Sequence, residues 1–296
     1  MRKGRVIFAL LAACFLLPLA AVAADVEPLV TPDWLEKNLS APDVVIVDIR
    51  KVEEYRDGHI PNAINVFYNS WAIAQAGLAN EIPADDDLRD LLGGNGITKD
   101  STVVVVGKAE ALVDRVNVTR VAWTLKYAGV QNVAVLNGGY DAWLAAKKEV
   151  SKTVARGKKV TYDGQFNKAL FADKAYVTAA LGKATIVDVR EGPFYTGEKK
   201  LDFVAKPGHI QGAVNLPSLQ MFTKEGAFKP AAELAAMATP VVGTDKGKEI
   251  IVYCDSGRVA SAWWFILHEV LGYQNVRNYD GSAQDWTREP AGPVAP

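Results

Sequence analysis

The stretch "IIVYCDSGRVASAWWFI" (residues 250–266) places Cys254 between an apolar run and a small-residue segment with helical character. A thiol acts as a nucleophile only as its thiolate, so the question is what such surroundings do to the proton. The run "EIIVY" reads as a strand that ends at a sheet edge, and "VASAWWFILHEVLG" as a helix that starts just after a turn. Backbone N–H groups at a helix start lack intrahelical partners and converge on an anion held in the preceding loop. Such a cup is expected to pull the Cys254 pKa from about 8.5 to near or below neutral. Gly257 supplies the backbone freedom that a tight cup requires. Arg258 is expected to attract an anionic donor or steady a thiolate, and Ser256 to donate a hydrogen bond to sulfur or oxygen in the loop. Val259 completes the loop, whose amides from 255 to 259 are expected to face the sulfur. Asp255 works against ionisation and is expected to point outward. A buried, inert cysteine is the plainer reading, but Gly, Ser and Arg within the next four residues argue against a core position.

The elements that must hold this loop occur twice. "VVIVDIRKVEEYRDGHIPNAINV" (44–66) matches "ATIVDVREGPFYTGEKKLDFVAKPGHIQGAVNL" (184–216), and "STVVVVGK" (101–108) matches "KEIIVYCD" (248–255). "LKYAGVQNVAVLNGGYDAW" (125–143) matches "LHEVLGYQNVRNYDGSAQDW" (267–286). Matching blocks in one order mean two copies of one fold. The copies span 25–150 and 164–296, joined by a Lys-rich linker over 151–163. The β-branched runs are apolar throughout, as in parallel strands covered on both faces, and helical stretches alternate with them. Residues present in both copies are expected to build the fold: Asp48 and Asp188, Arg50 and Arg190, His59 and His209, Asn65 and Asn215. Asp188, Arg190 and His209 are therefore supporting residues. Residues in one copy only are candidates for chemistry. Gly107 stands where the second copy has Cys254, so the first copy is expected to be catalytically silent.

The chain of 296 residues suits about two domains, with 49% apolar and 23% charged residues supporting packed cores. Its 33 basic and 34 acidic residues leave a net charge of −1, which gives no reason to expect nucleic acid as a partner. "MRKGR" followed by "VIFALLAACFLLPLAAVAA" has the layout of a secretory signal over residues 1–24. Export to the periplasm or beyond is expected, ahead of a retained anchor or lipidation at Cys14 in "LAAC". Removal of that leader takes away Cys14, so Cys254 has no internal disulfide partner.

The motifs "IVDVR", "GHIQGAVNLP", "IVYCDSGRVAS" and "LGYQNVRNYDGSAQDW", with their counterparts in the first copy, resemble the rhodanese family of sulfurtransferases across nearly the whole mature chain. The resemblance implies an α/β fold of two tandem rhodanese-like domains, each a mainly parallel sheet with helices on both faces. It implies sulfane-sulfur transfer through a Cys254 persulfide, from thiosulfate or a similar donor to cyanide or a thiol, with no metal or organic cofactor. A protein thiol is a further possible acceptor. The chain departs from the family in the loop, where Asp255 and Ser256 replace basic residues. It departs again where Pro193 and Phe194 stand in place of donor-binding arginines. Lys199, Lys200 and Lys206 are candidates to flank the entrance. A phosphatase needs an Arg six residues after the Cys, where this chain has Ala260. A non-catalytic sulfur or chalcogen carrier, or a redox-partner protein, uses the same loop and remains the rival reading.

Overall fold

The computed structural model describes residues 26–296, so the expected leader and Cys14 lie outside the described residues. The first unit runs β1 (Leu29–Val30), α1 (Pro32–Asn38), β2 (Val44–Asp48), α2 (Val52–Asp57) and β3 (Ile64–Asn65). A hairpin of β4 (Ile73–Gln75) and β5 (Leu78–Glu81) follows, then α3 (Asp85–Gly94), β6 (Thr102–Val106), α4 (Leu112–Ala128), β7 (Asn132–Leu136) and α5 (Gly139–Ala145). The second unit runs β8 (Phe171–Ala172), α6 (Lys174–Ala180), β9 (Thr185–Asp188), α7 (Gly192–Tyr195), β10 (His209–Ile210) and β11 (Val214–Asn215). It continues with α8 (Ala231–Val242), β12 (Ile250–Tyr253), α9 (Ala260–Phe265), β13 (Val276–Tyr279), α10 (Ser282–Trp286) and β14 (Val294–Ala295).

Two five-stranded sheets result, ordered β1-β7-β6-β2-β3 and β8-β13-β12-β9-β11, with every neighbouring pair parallel. The two orders superimpose strand for strand, so the sequence repeat is a repeat of topology. The apolar runs behave as doubly covered strands: β6 and β12 are buried along their whole length. Helix ends follow local chemistry. The Thr31 hydroxyl accepts the Trp34 N–H at 3.2 Å and the Asp173 carboxylate accepts the Tyr176 N–H at 2.7 Å. Gly129 ends α4 at φ 95°, where a Cβ would lie 2.3 Å from the Gln165 carbonyl.

Residues 151–163 lie along the first unit. Ser151 pairs antiparallel with His59, Ala155 donates its N–H to the Tyr55 hydroxyl at 3.1 Å, and Val160 bonds to the Gly93 carbonyl at 2.9 Å. In the second unit β14 pairs antiparallel with β10, joining Ala295 to His209. Each unit is thus closed by its own trailing segment at the same histidine.

One hydrophobic core runs through both units and includes Val121, Ala122 and Trp123 of α4 with Ala262, Trp263 and Phe265 of α9, all fully buried. The Thr119 and Ser261 hydroxyls meet across these helices at 3.1 Å. Beside them Arg120 and Asp280, both fully buried, form an ion pair between the units. The β4–β5 hairpin reaches across the same boundary. Ala79 exchanges two hydrogen bonds with the Gln284 amide, at 3.0 and 2.8 Å, and the Ile82 N–H donates to Asp280 Oδ2 at 2.8 Å.

Removing one partner of a buried pair strands the other charge. Arg120→Met is expected to cost about 3–5 kcal/mol in urea unfolding. Glu81, at the end of β5, has a buried Oε1 without a hydrogen-bond partner. Burial, and then the Asp280 charge, push its carboxyl up to about 8. A raised folded-state pKa means stability that is full at acidic pH and is lost as pH rises from the usual carboxylate range through about 8. Glu81→Gln is therefore expected to flatten the fall in Tm over that window, by about 2 °C or more, as read by thermal melts at each pH.

Candidate active site

Strand β12 delivers Cys254 to the C-terminal edge of the second sheet, where open α/β sheets place their ligands. The loop that follows is held from outside by hydrogen bonds. The Ser282 hydroxyl accepts the N–H groups of Cys254 at 3.1 Å and Gly257 at 2.9 Å, and donates to the Tyr279 carbonyl at 2.8 Å. The carbonyls of Cys254 and Asp255 accept the N–H groups of Ala283 and Gln284, each at 3.0 Å. Gly257, at φ 68°, presses on the backbone of Asp280; a Cβ there would sit 2.4 Å from the Asp280 carbonyl oxygen. Its own carbonyl accepts Asn278 Nδ2 at 3.0 Å and Arg120 Nη1 at 3.3 Å. Within this braced loop the N–H groups of Ser256, Val259 and Ala260 act on the sulfur and favour its ionised form. The cup is thus narrower than a run of amides from 255 to 259: the Gly257 N–H is committed to Ser282, and Ala260 joins instead.

The electrostatics correct the expectation of an acidic thiol. Cys254 is 1% exposed. Burial, and then the Asp255 carboxylate, push its pKa up, while the three amides pull it down without reversing the result. Asp255 also points inward, contrary to expectation. Its Oδ1 accepts Arg190 Nη1 at 3.2 Å, and burial raises its own pKa against the lowering effect of that guanidinium.

Arg190 is anchored first to Asp188, with Nε to Oδ1 at 2.9 Å and Nη2 to Oδ2 at 2.6 Å, and to the Gly208 carbonyl at 2.8 Å. Tyr253 completes the cluster by donating its hydroxyl to Asp188 Oδ2 at 2.7 Å. In the first unit Arg50 grips Asp48 and the Gly58 carbonyl in the same way. His209 Nδ1 donates to the Tyr195 carbonyl at 2.9 Å, and its ring stacks on Tyr195 at 3.9 Å. His59 does the same with Tyr55, at 2.7 and 3.7 Å. Both histidines are thus held by a carbonyl and a stacked tyrosine of their own unit.

Arg258 does not turn toward the sulfur. Its Nε donates to Asn117 Oδ1 at 2.8 Å and its guanidinium lies over the Tyr68 ring at 4.6 Å, both in the first unit. The Ser256 hydroxyl oxygen accepts Asn80 Nδ2 at 3.0 Å, and the Tyr68 hydroxyl donates to Asn80 Oδ1 at 3.3 Å. Val259 contributes its amide as the cap of α9. Lys199 and Lys200 are exposed, and Lys206 pairs with Glu289 at 2.9 Å. His268 stacks on Trp264 and bonds Glu269.

Sequence reasoning missed Arg120, Asp280, Ser282, Asn278, Asn80 and Tyr68. Three of these carry a signal in the repeat. "LNGGYDAW" and "YDGSAQDW" align without a gap, so Ser282 replaces Gly139, Asp280 replaces Asn137, and Asn278 replaces Val135 one residue before the blocks. The comparison that singled out Cys254 against Gly107 would have found them.

The Rhodanese-like domain family model matches residues 31–146 and 172–289. A Mycolicibacterium smegmatis protein provisionally named thiosulfate sulfurtransferase is 32% identical over 88% of this chain and 94% of its own length. The Thermus thermophilus sulfur carrier protein TtuD is 30% identical over 92% of this chain and 98% of its own. Among solved structures, the anaerobic ergothioneine biosynthesis enzyme from Chlorobium limicola, in complex with trimethyl histidine, has a TM-score of 0.80 at 24% identity. That match covers 90% of this chain and 69% of the enzyme, and it speaks to the fold alone.

Because Asp255 opposes ionisation of the thiol, Asp255→Asn is expected to shift the alkaline limb of Cys254 alkylation by iodoacetamide to lower pH. Alkylation at neutral pH should rise a few-fold, and wild-type alkylation should climb only above the ordinary thiol range.

Proposed function

The chain belongs to the rhodanese-like family, and on that premise we propose that it transfers sulfane sulfur from thiosulfate or a similar donor to cyanide or a thiol through a persulfide on Cys254. The observation that carries this reading is the place of Cys254 directly after β12, at the head of a loop braced by Ser282, where the amides of Ser256, Val259 and Ala260 favour the ionised sulfur. Preorganised N–H groups stabilise negative charge on that atom and on one bonded to it.

In the first half-reaction the Cys254 thiolate attacks the outer sulfur of thiosulfate. A new S–S bond forms, the bond from that sulfur to the sulfonate breaks, and sulfite leaves with the electron pair. In the second, the acceptor attacks the outer persulfide sulfur, the S–S bond breaks, and its electron pair returns to Cys254 as thiolate. Cyanide gives thiocyanate, and a thiol gives a new persulfide. Dividing the transfer in this way replaces one hard displacement by two easier ones. The raised thiol pKa means that a proton must leave before each first attack on donor by resting enzyme.

In this reading the first unit is catalytically silent, with Gly107 at the position of the nucleophile, and contributes Asn80 and Tyr68 behind the loop. Asp188, Arg190 and His209 support the loop. The charged, apolar and small-residue zones of residues 1–24 support export, so the acceptor is met in the periplasm or outside the cell.

A carrier without turnover of its own is the second reading. One observation favours it: a relative 30% identical over 92% of this chain is named a sulfur carrier. Intact-mass measurement after incubation with thiosulfate, polysulfide or mercaptopyruvate separates the two. For an enzyme, thiosulfate should add the mass of one sulfur to the wild type and not to Cys254→Ser, and cyanide or thiol should remove it over many cycles. Loading followed by a single release establishes the carrier. Turnover no greater than that of Cys254→Ser with every donor and acceptor rejects the enzyme.

A further inference from the structure

The silent unit keeps a cavity at the place where its partner keeps the cysteine. Gly107 follows β6 as Cys254 follows β12, and the Tyr140 N–H meets the Gly107 carbonyl at 2.8 Å as the Ala283 N–H meets that of Cys254 at 3.0 Å. A Cβ on Gly107 would lie 2.7 Å from Val118 Cγ1, so this loop has no room for a nucleophile. Beside it a cavity of about 250 Å³ is lined by both units, Arg258 being the contribution of the cysteine loop.

Its charges are unevenly answered. Lys108 pairs with Glu54 at 2.6 Å and Glu110 at 3.5 Å, and Arg50 with Asp48 at 2.6 Å. Lys51 and Arg258, which also line the cavity, have no ion-pair partner among the described residues. The one other lining carboxylate, Asp114, accepts the Ala111 N–H at 3.1 Å. With no carboxylate within ion-pair distance, Lys51 and Arg258 remain available to an anion, Asp114 being the opposing charge in the lining, and a partly enclosed site strengthens the attraction. The exposed apolar surface of the lining is chiefly Phe67, at 36% exposed, since Ile49 and Tyr68 are buried. A bare inorganic ion would leave that surface uncovered.

We infer that this cavity is a second binding site, for a small organic anion whose charged head lies on Lys51 and Arg258 and whose flat apolar body covers Phe67. The site does not depend on sulfur transfer. Calorimetry on the Cys254→Ser chain therefore tests it separately from the catalytic reading. Benzenesulfonate is expected to bind at one site, about tenfold or more tighter than sulfate, which has only the head, or benzyl alcohol, which has only the body. Lys51→Ala should weaken benzenesulfonate about tenfold, the loss of one charge-assisted contact. Phe67→Ala should bring it to the level of sulfate. Both side chains are exposed, and unchanged thermal melts would show that the fold is kept. No saturable binding of benzenesulfonate, binding no tighter than sulfate, or binding indifferent to both substitutions overturns the proposal.

Discussion

The fully buried ion pair of Arg120 and Asp280 is the constraint around which the rest of the site is arranged. Charges buried at this depth persist only when paired and surrounded by hydrogen-bonding groups. Arg120 also serves the carbonyls of Asn80 and Gly257, and Asp280 also accepts the Ile82 N–H. One pair therefore fixes a helix of the first unit, the root of its hairpin, and the turn of the cysteine loop. The unit that has Gly107 in place of Cys254 is in this sense half of the frame around that cysteine. Ser282 provides the remaining half from within, binding both ends of the Cys254–Gly257 turn through a single hydroxyl.

Around the sulfur, burial and the neighbouring carboxylate hold the proton on, while three amides favour its loss. The balance at rest lies with the protonated thiol. Such a loop is built less to store a thiolate than to receive negative charge once it arises, since its N–H groups are already oriented and need no rearrangement. Asp255 is kept close by Arg190, whose Nε and Nη2 are spent on Asp188 and whose Nη1 remains for a second carboxylate.

The repeat, the parallel sheets and the contrast of Cys254 with Gly107 were legible because they rest on local pattern: β-branched runs, glycine positions, and the order of blocks. The directions of Asp255 and Arg258 were not. Each depends on a partner far away in the chain, Arg190 in one case and Asn117 with Tyr68 in the other. The depth of the thiol is likewise set by packing of two units and has no trace in a six-residue motif. The β4–β5 hairpin, too short and polar to show as strands, becomes significant only through Gln284 and Asp280 on the far side of the boundary. Ser282 and Asp280 fall between these cases, since position-by-position subtraction of one copy from the other exposes them.

The trailing segments that seal each unit at His59 and His209 make the two closures separate. Ser151, Ala155 and Val160 fasten the first segment to His59, Tyr55 and Gly93, all of the first unit, and β14 fastens the second to β10. Neither fastening crosses the boundary held by Arg120 and Asp280, so loosening one strap leaves the histidine of the other unit covered.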